Sequence, residues 1–420
     1  MVNTHIEKSL FMVKKDIVPK MRFRCFRDEW KECRFSDIYT KNYGGGTPST
    51  KNKDYWYNGT LPWYQSSDLI EGKLVNKKIN KKITIEAINE TSAKKVPGGS
   101  IAIVTRVGVG KLSFIDFDYS TSQDFMSISG LKVNDMYAVY LIYRLMYHLK
   151  NRLQGTSIKG ITKSELDNQK LLITRNDLEQ KKIGSFFTKT DKLIGLQIQK
   201  LEQLKKLKKG YLQKIFPQEE ESLPRLRFSG FSGEWEEEKM GSIAKIYRGA
   251  SPRPIKDKKW FDDNSKVGWI RISDVTCQHG RITKLSQHLS KEGQKKTRVL
   301  KESHLLLSIA ASVGKPVINY VETGVHDGFL IFDDPQFNID YMYYFLEYYQ
   351  NRWDKFGQPG SQVNLNSEIV KSLSLFLPDL DEQKKIALFI KSIDQMVENQ
   401  TNKIDVLKQQ KKAYLQKMFI

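Results

Sequence analysis

One helix-forming segment occurs twice in the amino-acid sequence. Residues 179–216 align with residues 382–419 at a constant offset of 203, with 18 identities in 38 positions and no gap. Each copy begins with Glu-Gln-Lys-Lys-Ile and carries Tyr-Leu-Gln-Lys near its end. A period of 203 residues is far longer than the few dozen residues of a solenoid repeat. The chain therefore contains two copies of a whole module, a domain followed by a long helix, and pseudo-twofold symmetry is predicted.

Shorter matches extend the repeat to the domains that precede the helices. Residues 18–23 match 223–228, Trp30 matches Trp235, Trp63 matches Trp269, and residues 109–111 match 313–315. The offset drifts only between 203 and 206, so insertions and deletions are small. Between these matches the two halves differ almost completely. A shared frame with divergent content is the pattern expected of two recognition domains with different targets.

Apolar periodicity and turn residues predict an α+β fold for each domain. Residues 100–104 and 305–309 are predicted as buried strands, and residues 137–149 and 340–353 as helices with apolar positions three and four apart. Gly and Pro clusters mark the loops between them. The predicted division is a first domain with an N-terminal extension over 1–174, a long helix over 175–216, a linker over 217–224, a second domain over 225–377 and a second long helix over 378–420.

The two long helices carry an apolar stripe with a coiled-coil period. The gaps in the first helix are 4, 3, 3, 3, 4 and 4, a mean of 3.5. We predict that the helices pack on each other, antiparallel, and the alternative is that each helix docks on its own domain. The predicted seam consists of Ile194, Ile198, Leu201, Leu204, Leu207, Tyr211 and Ile215 in the first helix, and of Val397, Ile404, Leu407, Tyr414 and Met418 in the second.

The charge and the cysteine content limit the partners and the compartment. The formal net charge is +21, which favours a polyanionic partner, nucleic acid first. A generally lysine-rich proteome is the alternative explanation. The three cysteines form no metal-ligand or disulfide pattern, which fits a reducing cytoplasm. No stretch approaches 18 apolar residues, so we expect no membrane partner.

The sequence lacks the common signatures of catalysis. Gly110-Lys111 and Gly314-Lys315 have neither the earlier glycine nor the following Ser or Thr of a Walker A loop. No HExxH zinc motif and no Asn/Asp-Pro-Pro-Tyr/Phe motif of an amino-methyltransferase occurs. Pro378-Asp379 before Glu382 resembles a nuclease signature but lies at a helix start, where we predict Asp381 as the N-cap. No catalytic residue, metal ligand or cofactor is therefore predicted in this chain.

Several loops carry residues suited to DNA contact. Residues 44–51 form a glycine-rich loop with hydroxyl groups and a cation, which suits phosphate binding, and a tight turn between strands is the alternative. Gln65 and Arg271 occupy matching positions, and Gln suits adenine whereas Arg suits guanine. The candidate DNA-binding residues are Gly45, Gly46, Thr47, Pro48, Ser49, Lys51, Gln65, Ser67, Arg106, Lys111, Lys159, Arg248, Ser251, Arg253, Arg271, Ser273, Ser312, Lys315 and Gln362.

Lysines on the two long helices also match in pairs. They are Lys200, Lys205, Lys208 and Lys209 in the first helix, and Lys403, Lys408, Lys411 and Lys412 in the second. Phosphate binding is one interpretation. We favour a solvated coiled-coil flank or a docking surface for another subunit, because the flanks of a coiled coil must be polar.

The order of these motifs resembles a known family. Each domain follows a Pro-Lys/Arg-x-Arg-Phe…Glu-Trp segment and precedes a Glu-Gln-Lys-Lys-Ile…Tyr-Leu-Gln-Lys-x-Phe helix. This pattern, over nearly the whole chain, is similar to that of the specificity subunits of type I restriction–modification enzymes. The Gly-Thr-Pro-Ser sequence at 46–49 is also typical of that family, with a partial match at 249–252.

The resemblance implies two target recognition domains, each reading half of an asymmetric, bipartite double-stranded DNA site. It implies that the antiparallel helices set the gap between the half-sites and dock two modification subunits, which methylate adenine with S-adenosylmethionine. Restriction subunits that use ATP and Mg²⁺ are further expected partners. The chain itself would then be non-catalytic. The alternatives are a stand-alone DNA-modifying enzyme and a basic protein-binding adaptor.

Overall fold

The computed structural model divides the chain into two compact units. It describes residues 18–75, 78–153, 160–219, 221–310, 313–356 and 365–420. Unit 1 comprises Met1–Ile198 and Lys403–Ile420, and unit 2 comprises Gln199–Asn402. The boundaries fall inside both long helices, so each unit contains one domain, one part of the first helix and one part of the second.

Unit 1 is built from short strands around one longer helix. Its strands are β1 (Lys31–Arg34), β2 (Lys41–Gly44), β3 (Leu61–Tyr64), β4 (Lys81–Ile83), β5 (Ser100–Val104), β6 (Leu112–Ile115), β7 (Ser120–Thr121), β8 (Phe125–Ser129) and β9 (Lys170–Ile173). Its helices are α1 (Ile85–Glu90), α2 (Asp135–Leu153), α3 (Lys163–Asp167) and the first part of α4 (Asp177–Ile215). The strands form sheets in the order β2-β8-β5-β6, β4-β3-β7 and β1-β9. Every residue of β5 and β8 is buried, as expected for central strands of largely apolar sequence.

Unit 2 repeats this architecture with small differences. Its strands are β10 (Glu236–Lys239), β11 (Lys245–Arg248), β12 (Gly268–Trp269), β13 (Arg281–Ile282), β14 (Arg298–Leu300), β15 (Leu305–Ser308), β16 (Pro316–Asn319), β17 (Thr323–Val325), β18 (Phe329–Asp333) and β19 (Ser374–Leu377). Its helices are α5 (Met240–Ile243), α6 (Ile272–Cys277), α7 (Lys291–Lys295), α8 (Ile339–Tyr349), α9 (Ser367–Lys371) and the first part of α10 (Leu380–Met418). The sheet orders are β11-β18-β15-β16-β13, β12-β17-β14 and β10-β19.

The predicted α+β fold, with two domains of one architecture and two long helices, is confirmed. The predicted buried strands correspond to β5 and β15, and the predicted helices lie within α2 and around α8. One local prediction is wrong: Asp381 does not cap α10. The carboxylate of Asp379 accepts the amide of Glu382 at 2.8 Å, and Asn176 accepts the amide of Glu179 at 3.2 Å at the matching position of α4. The cap lies before the first turn because its side chain must accept a free amide three residues further along the chain.

The repeated Glu of each long helix binds the segment that precedes the domain. Glu179 is buried and accepts two hydrogen bonds from Arg22, at 2.6 and 2.8 Å, within unit 1. Glu382 is likewise buried and accepts two from Arg227, at 2.8 and 2.7 Å, within unit 2. A bidentate guanidinium–carboxylate pair is geometrically specific. These residues recur because they attach each helix to its own domain.

The repeated Gln positions the core helix of each domain. The side-chain carbonyl of Gln180 accepts the amide of Asn134, just before α2, at 2.8 Å. Gln383 accepts the amide of Asn338, just before α8, also at 2.8 Å. Asn134 and Asn338 in turn accept amides from the first turns of these helices. The start of each long helix is therefore part of a domain, which is the docking that the sequence left open as an alternative.

Within each unit, parts of both long helices lie side by side. In unit 1, Phe186 of α4 contacts Tyr414 of α10 with ring centroids 5.3 Å apart. In unit 2, Tyr211 of α4 contacts Phe389 of α10 at 4.9 Å. In unit 1, Asp191 follows Phe186 in α4 while its partner Lys411 precedes Tyr414 in α10, so these two segments run antiparallel. In unit 2, Lys208 precedes Tyr211 while its partner Asp394 follows Phe389, so the segments there are antiparallel as well.

Two of the repeated lysines, the buried Lys411 and the half-buried Lys208, form ion pairs between these helix segments. Lys411 pairs with Asp191 at 2.5 Å in unit 1, and the Tyr140 hydroxyl donates to the same carboxylate at 2.7 Å. Lys208 pairs with Asp394 at 2.7 Å in unit 2 and also with Glu347. The expectation that these two lysines lie on a solvated or docking face is therefore wrong. Their long side chains place the ammonium groups beside carboxylates of the other helix.

Burial along both helices follows a strict heptad instead of the predicted stripe. The predicted seam residues Ile198 and Leu207 are 40% and 46% exposed, so their assignment to the seam is wrong. The prediction admitted only apolar residues, whereas two heptad positions of each helix are Gln and Lys. The heptad positions, all of which are buried or half-buried, are Ile194, Gln197, Leu201, Leu204, Lys208, Tyr211 and Ile215 in α4, and Val397, Gln400, Ile404, Leu407, Lys411, Tyr414 and Met418 in α10.

Candidate nucleic-acid interface

The ends of several strands of unit 1 meet at one edge of its sheets. Gly44, the last residue of β2, pairs with Met126, and Val104, the last residue of β5, pairs with Phe125. Tyr64, the last residue of β3, pairs with Thr121 of β7. The loops that follow these strands therefore converge. They include the predicted glycine-rich loop, the turn after β3, and residues 105–111 and 122–124.

The glycine-rich loop is a tightly packed turn. A Cβ on Gly45 would overlap the carbonyl oxygen of Ser122, so a larger residue does not fit there. The amide of Gly46 donates to Thr121 at 2.8 Å, and its carbonyl accepts the indole N–H of buried Trp63 at 3.0 Å. The tight turn, which the sequence left open, is therefore present. The Gly46 amide is used inside the protein and is not free for a phosphate.

The loop side chains that follow these glycines contact the neighbouring loop. The Thr47 hydroxyl donates to the side-chain carbonyl of Gln123. Ser49 and Lys51 are exposed, whereas Pro48 is buried. The structure thus places two of the predicted hydroxyls, and a lysine, at the surface of this edge.

The turn after β3 presents Gln65. One oxygen of the Asp68 carboxylate accepts the Gln65 amide at 2.9 Å, and the other accepts the side-chain N–H of Asn80 at 2.6 Å. Lys81 donates to the side-chain carbonyl of Gln65 at 3.4 Å. Gln65 is half-buried, and the neighbouring Ser67 is exposed. The carboxylate therefore holds the backbone that carries Gln65.

An aromatic and basic groove adjoins this turn. It is lined by Thr50, Lys53, Trp56, Tyr57, Asn80, Lys81 and Lys82. The Lys81 ammonium lies 5.9 Å from the Trp56 ring and 5.7 Å from the Trp63 ring. Tyr57 is 74% exposed. An exposed aromatic ring beside cations is suited to contact with bases and phosphates.

Two further predicted cations have different environments. Arg106 is exposed in the loop after β5, next to Gly160. Lys111 is half-buried, and its ammonium donates to the Ser66 carbonyl at 3.0 Å. Lys111 therefore supports the turn that carries Gln65, while Arg106 stays available to a ligand.

The matching edge of unit 2 has the same backbone frame. The amides of Gly249 and Ala250 donate to Phe329 at 2.9 Å and to Val325 at 3.0 Å. A Cβ on Gly249 would overlap the carbonyl oxygen of His326. The Trp269 ring lies 5.5 Å from the His326 ring, in an edge-on arrangement. The turn after β11 is thus packed against the loop between β17 and β18.

Asp327 organises the basic side chains of this edge. Its carboxylate accepts the Ser251 hydroxyl at 2.7 Å and the Arg253 guanidinium at 2.8 Å. Arg248 donates to the Asp327 carbonyl oxygen. Burial raises the pKa of Asp327, but the hydrogen bond from Ser251 and the nearby positive charges outweigh it and hold the pKa below its ordinary value. Burial lowers the pKa of His326, so this ring is neutral at pH 7.

The turn after β12 presents Arg271. Its amide donates to one Asp274 oxygen at 3.1 Å, and the other oxygen accepts the Ser286 hydroxyl at 2.7 Å. The Arg271 guanidinium donates to the Ser286 oxygen at 2.7 Å. The Arg271 side chain is 46% exposed and Asp274 only 8%. A buried carboxylate thus holds an exposed guanidinium at this edge.

Of the remaining candidate DNA-binding residues, the structure describes two and leaves three outside its described ranges. Ser273 is exposed on α6. Lys315 is half-buried, and its amide donates to the Ser308 hydroxyl at 3.1 Å. Lys159, Ser312 and Gln362 lie outside the described residues.

Sequence reasoning missed residues that complete both edges. Gln123 and Asp327 contact the matching hydroxyls Thr47 and Ser251, and both pairs are 204 residues apart. Asn80 and Ser286 were also missed, since each bonds an Asp through a short polar side chain that carries no motif. Their matching positions, at offsets of 204 and 206 residues, were the available signal, but the residues differ in type and so did not stand out.

The described part of the chain lacks two kinds of feature. Among those residues, no group of three or more His, Cys, Asp or Glu side chains could hold a metal ion. No helix in the described ranges has the length and apolar character needed to cross a membrane.

The sequence matches the model of a known protein family in two places. The model described as the type I restriction modification DNA specificity domain matches residues 27–206 and again residues 232–409. The chain belongs to this specificity-domain family. Each match covers one domain and most of the long helix that follows it.

Known specificity subunits align with much of this family member. It is 23% identical over 413 residues to the type I restriction enzyme MjaVIII specificity subunit of Methanocaldococcus jannaschii, covering 92% of this chain and 91% of the relative. It is 26% identical over 194 residues to the EcoR124I/EcoR124II specificity subunit of Escherichia coli, covering 41% of this chain and 46% of the relative.

Solved structures share the fold. A chain from a study of complex assembly and conformational transition of the type I R-M system superposes with a TM-score of 0.64 at 15% identity, covering 93% of this chain and 97% of that one. The S subunit of a type I restriction–modification system from M. genitalium superposes with a TM-score of 0.55 at 15% identity, covering 96% and 99%. The two-domain fold is therefore that of specificity-domain proteins.

Proposed function

We propose that this chain is the DNA sequence-recognition subunit of a type I restriction–modification enzyme. Each unit reads one half of an asymmetric, bipartite site in double-stranded DNA. Methylation of adenine, and restriction, are carried out by partner subunits. The observation that carries this proposal is the presence of two matching strand-end edges with the same backbone frame and different polar side chains.

The difference between the edges supports two different half-sites. Unit 1 presents Gln65 and the neutral pair Thr47–Gln123. Unit 2 presents Arg271, and Asp327 there holds a second guanidinium, that of Arg253. Base edges in the major groove are distinguished by patterns of donors and acceptors. Edges with different donors on one frame therefore favour different base sequences.

The charge of the chain supports duplex DNA as the ligand. The net charge is +21, and exposed basic residues such as Lys51, Arg106 and Arg253 lie at the edges that present the polar side chains. Cations that neutralise phosphates supply affinity that does not depend on sequence, and this affinity falls with salt. Base contacts on the same surface then supply the specificity.

We further propose that the chain acts without catalysis of its own. Two modification subunits would bind S-adenosylmethionine and methylate the target adenine after it is flipped out of the duplex. Restriction subunits, where they assemble, would bind ATP and Mg²⁺. This assembly would act on DNA in the cytoplasm.

A domain exchange tests the modular reading of DNA. Residues 225–375 are replaced by those of another family member, and the exchanged chain is assembled with the same modification subunits. Genomic DNA is methylated by this complex, and the motif that contains the methylated adenine is then determined by long-read sequencing. One half of the bipartite motif changes and the other half stays the same. A change in both halves would contradict the proposal.

The proposed role of the helices in setting the gap is tested by a matched insertion. Asp191 and Lys208 are separated by the same number of residues as their partners Asp394 and Lys411, so one heptad is inserted into each helix, after Leu201 and after Ile404. Because both ion pairs keep their partners, the folded units are preserved. The gap between half-sites lengthens while the half-sites stay unchanged. An altered half-site with an unchanged gap would refute this role.

The alternatives predict different results in binding experiments. A stand-alone DNA-modifying enzyme would bind S-adenosylmethionine as the isolated chain, which calorimetry detects. A protein-binding adaptor would show no preference among duplexes in a selection from random DNA at moderate salt. The proposed subunit binds duplex DNA with a bipartite preference when its modification subunits are present, and it binds no S-adenosylmethionine alone.

A further inference from the structure

The turn that follows the tryptophan-containing strand has one frame in both units. In unit 1, Asp68 accepts the Gln65 amide with one oxygen and the Asn80 side chain with the other, at 2.9 and 2.6 Å. These three positions are held together by backbone and short side chains. The side chain of Gln65 itself takes no part in the two bonds to Asp68.

Unit 2 has the same bonds at the matching positions. Asp274 accepts the Arg271 amide with one oxygen and the Ser286 hydroxyl with the other, at 3.1 and 2.7 Å. Asn80 and Ser286 are 206 residues apart, as are Gln65 and Arg271. The frame is shared and the side chain that it presents differs.

The guanidinium of Arg271 is fixed at one side and exposed at the other. One Nη2 hydrogen is donated to Ser286 at 2.7 Å, and Nε lies 3.9 Å from the Asp274 carboxylate. The side chain is 46% exposed, which leaves the other terminal N–H groups accessible. A guanidinium held in this way loses less conformational entropy when it binds a ligand.

Resting on the proposed DNA-reading function, we propose that Arg271 is a specificity-determining residue that reads a guanine in the half-site bound by unit 2. Two terminal N–H groups of a guanidinium match the O6 and N7 acceptors of guanine in the major groove. Gln65 holds the matching position in unit 1, and its amide lacks the two-pronged donor pattern. The guanine contact at this position therefore belongs to unit 2.

A phosphate contact is the competing role for an exposed arginine at this edge. A phosphate contact weakens binding about equally for all sequences and reduces the salt dependence. A base contact relaxes the preference at one position of the site. The two roles are therefore separated by the recognised motif and not by affinity alone.

The experiment uses the full chain assembled with its modification subunits and a random duplex library. The variants are R271Q, R271K and the control R225Q, which removes an arginine that pairs with Glu221 on the segment before the domain. R225Q selects the wild-type motif. R271Q lowers the preference for guanine at one position by about 5- to 150-fold and leaves the other half-site unchanged. R271K keeps the positive charge but lacks the planar guanidinium with its paired donors, so it loses the preference for guanine to a similar extent.

Each contrary outcome has a separate meaning. If R271Q and R271K bind all sequences more weakly but select the unchanged motif, Arg271 contacts a phosphate and the inference is wrong. If the wild-type complex shows no sequence preference, the proposed function itself fails. Retention of the unit 1 half-site by R271Q shows that the variant is folded, and a loss of both half-sites in R271Q and R271K alike would assign Arg271 a structural role.

Discussion

Breaking the buried ion pair between Arg227 and Glu382 should destabilise unit 2 strongly. The Glu382 side chain is only 1% exposed, and both of its oxygens accept hydrogen bonds from Arg227, at 2.8 and 2.7 Å. In R227M the carboxylate stays buried and loses both hydrogen bonds that Arg227 donates. Removing one partner of such a pair costs about 3–5 kcal/mol. Because the Arg227 side chain is 20% exposed, we expect the lower end, about 3 kcal/mol.

Urea unfolding measures this loss. With a dependence on urea of about 2–3 kcal/mol per M, the midpoint of R227M falls by about 1–1.5 M. Hydrogen-exchange mass spectrometry follows peptides of unit 2 during the titration. In the matching variant R22M, the buried Glu179 likewise loses its arginine partner. We expect its urea midpoint to fall as well.

Two controls make the result decisive. R225M removes an arginine from an exposed pair with Glu221 and should change stability by less than about 1 kcal/mol. The double variant R227M/E382M removes both charges, so it should recover most of the stability lost in R227M. If R227M and R225M unfold at the same urea concentration, the pair does not hold the helix to the domain, and the reasoning is refuted.

Three further predictions concern the packed turn, a cysteine and the helix pair. Gly249→Ala places a methyl group against the His326 carbonyl and should cost about 1–3 kcal/mol in urea unfolding. Burial raises the pKa of Cys33 to about 11, so its thiolate is scarce at pH 8 and iodoacetamide should alkylate it at least about tenfold more slowly than the two exposed cysteines, as read by mass spectrometry. Lys411→Met leaves a partly buried carboxylate without its cation and should lower the free energy of unfolding by about 1–3 kcal/mol, whereas the exposed Lys408→Met should leave it nearly unchanged.

The fold was predictable from sequence because the chain contains two copies of the same module. The repeat, at an offset of 203 to 206 residues, identified both domains and both long helices, and periodicity located β5 and α2. The pairing within the helices was predicted less well. Gln197 and Lys208 occupy heptad positions that an apolar stripe excludes, so Ile198 and Leu207 were chosen instead. A polar residue at such a position is satisfied by a partner distant in sequence, which one helix alone does not reveal.

The candidate site was only partly predictable for a similar reason. The glycines of the turns and the pair Gln65 and Arg271 stood out because of their type and their matching positions. Asp327 did not, because its importance comes from Ser251 and Arg253, which precede it by more than 70 residues. Lys111 was assigned to a ligand but bonds a backbone carbonyl, since a cation near a loop end has several acceptors within reach.

The carboxylates of Asp68 and Asp274 accept the backbone amide of the presenting residue, and every amino acid except proline supplies that amide. Natural variation at positions 65 and 271 can therefore be accepted without rebuilding the turn. The two modules can thus present different side chains on one shared scaffold.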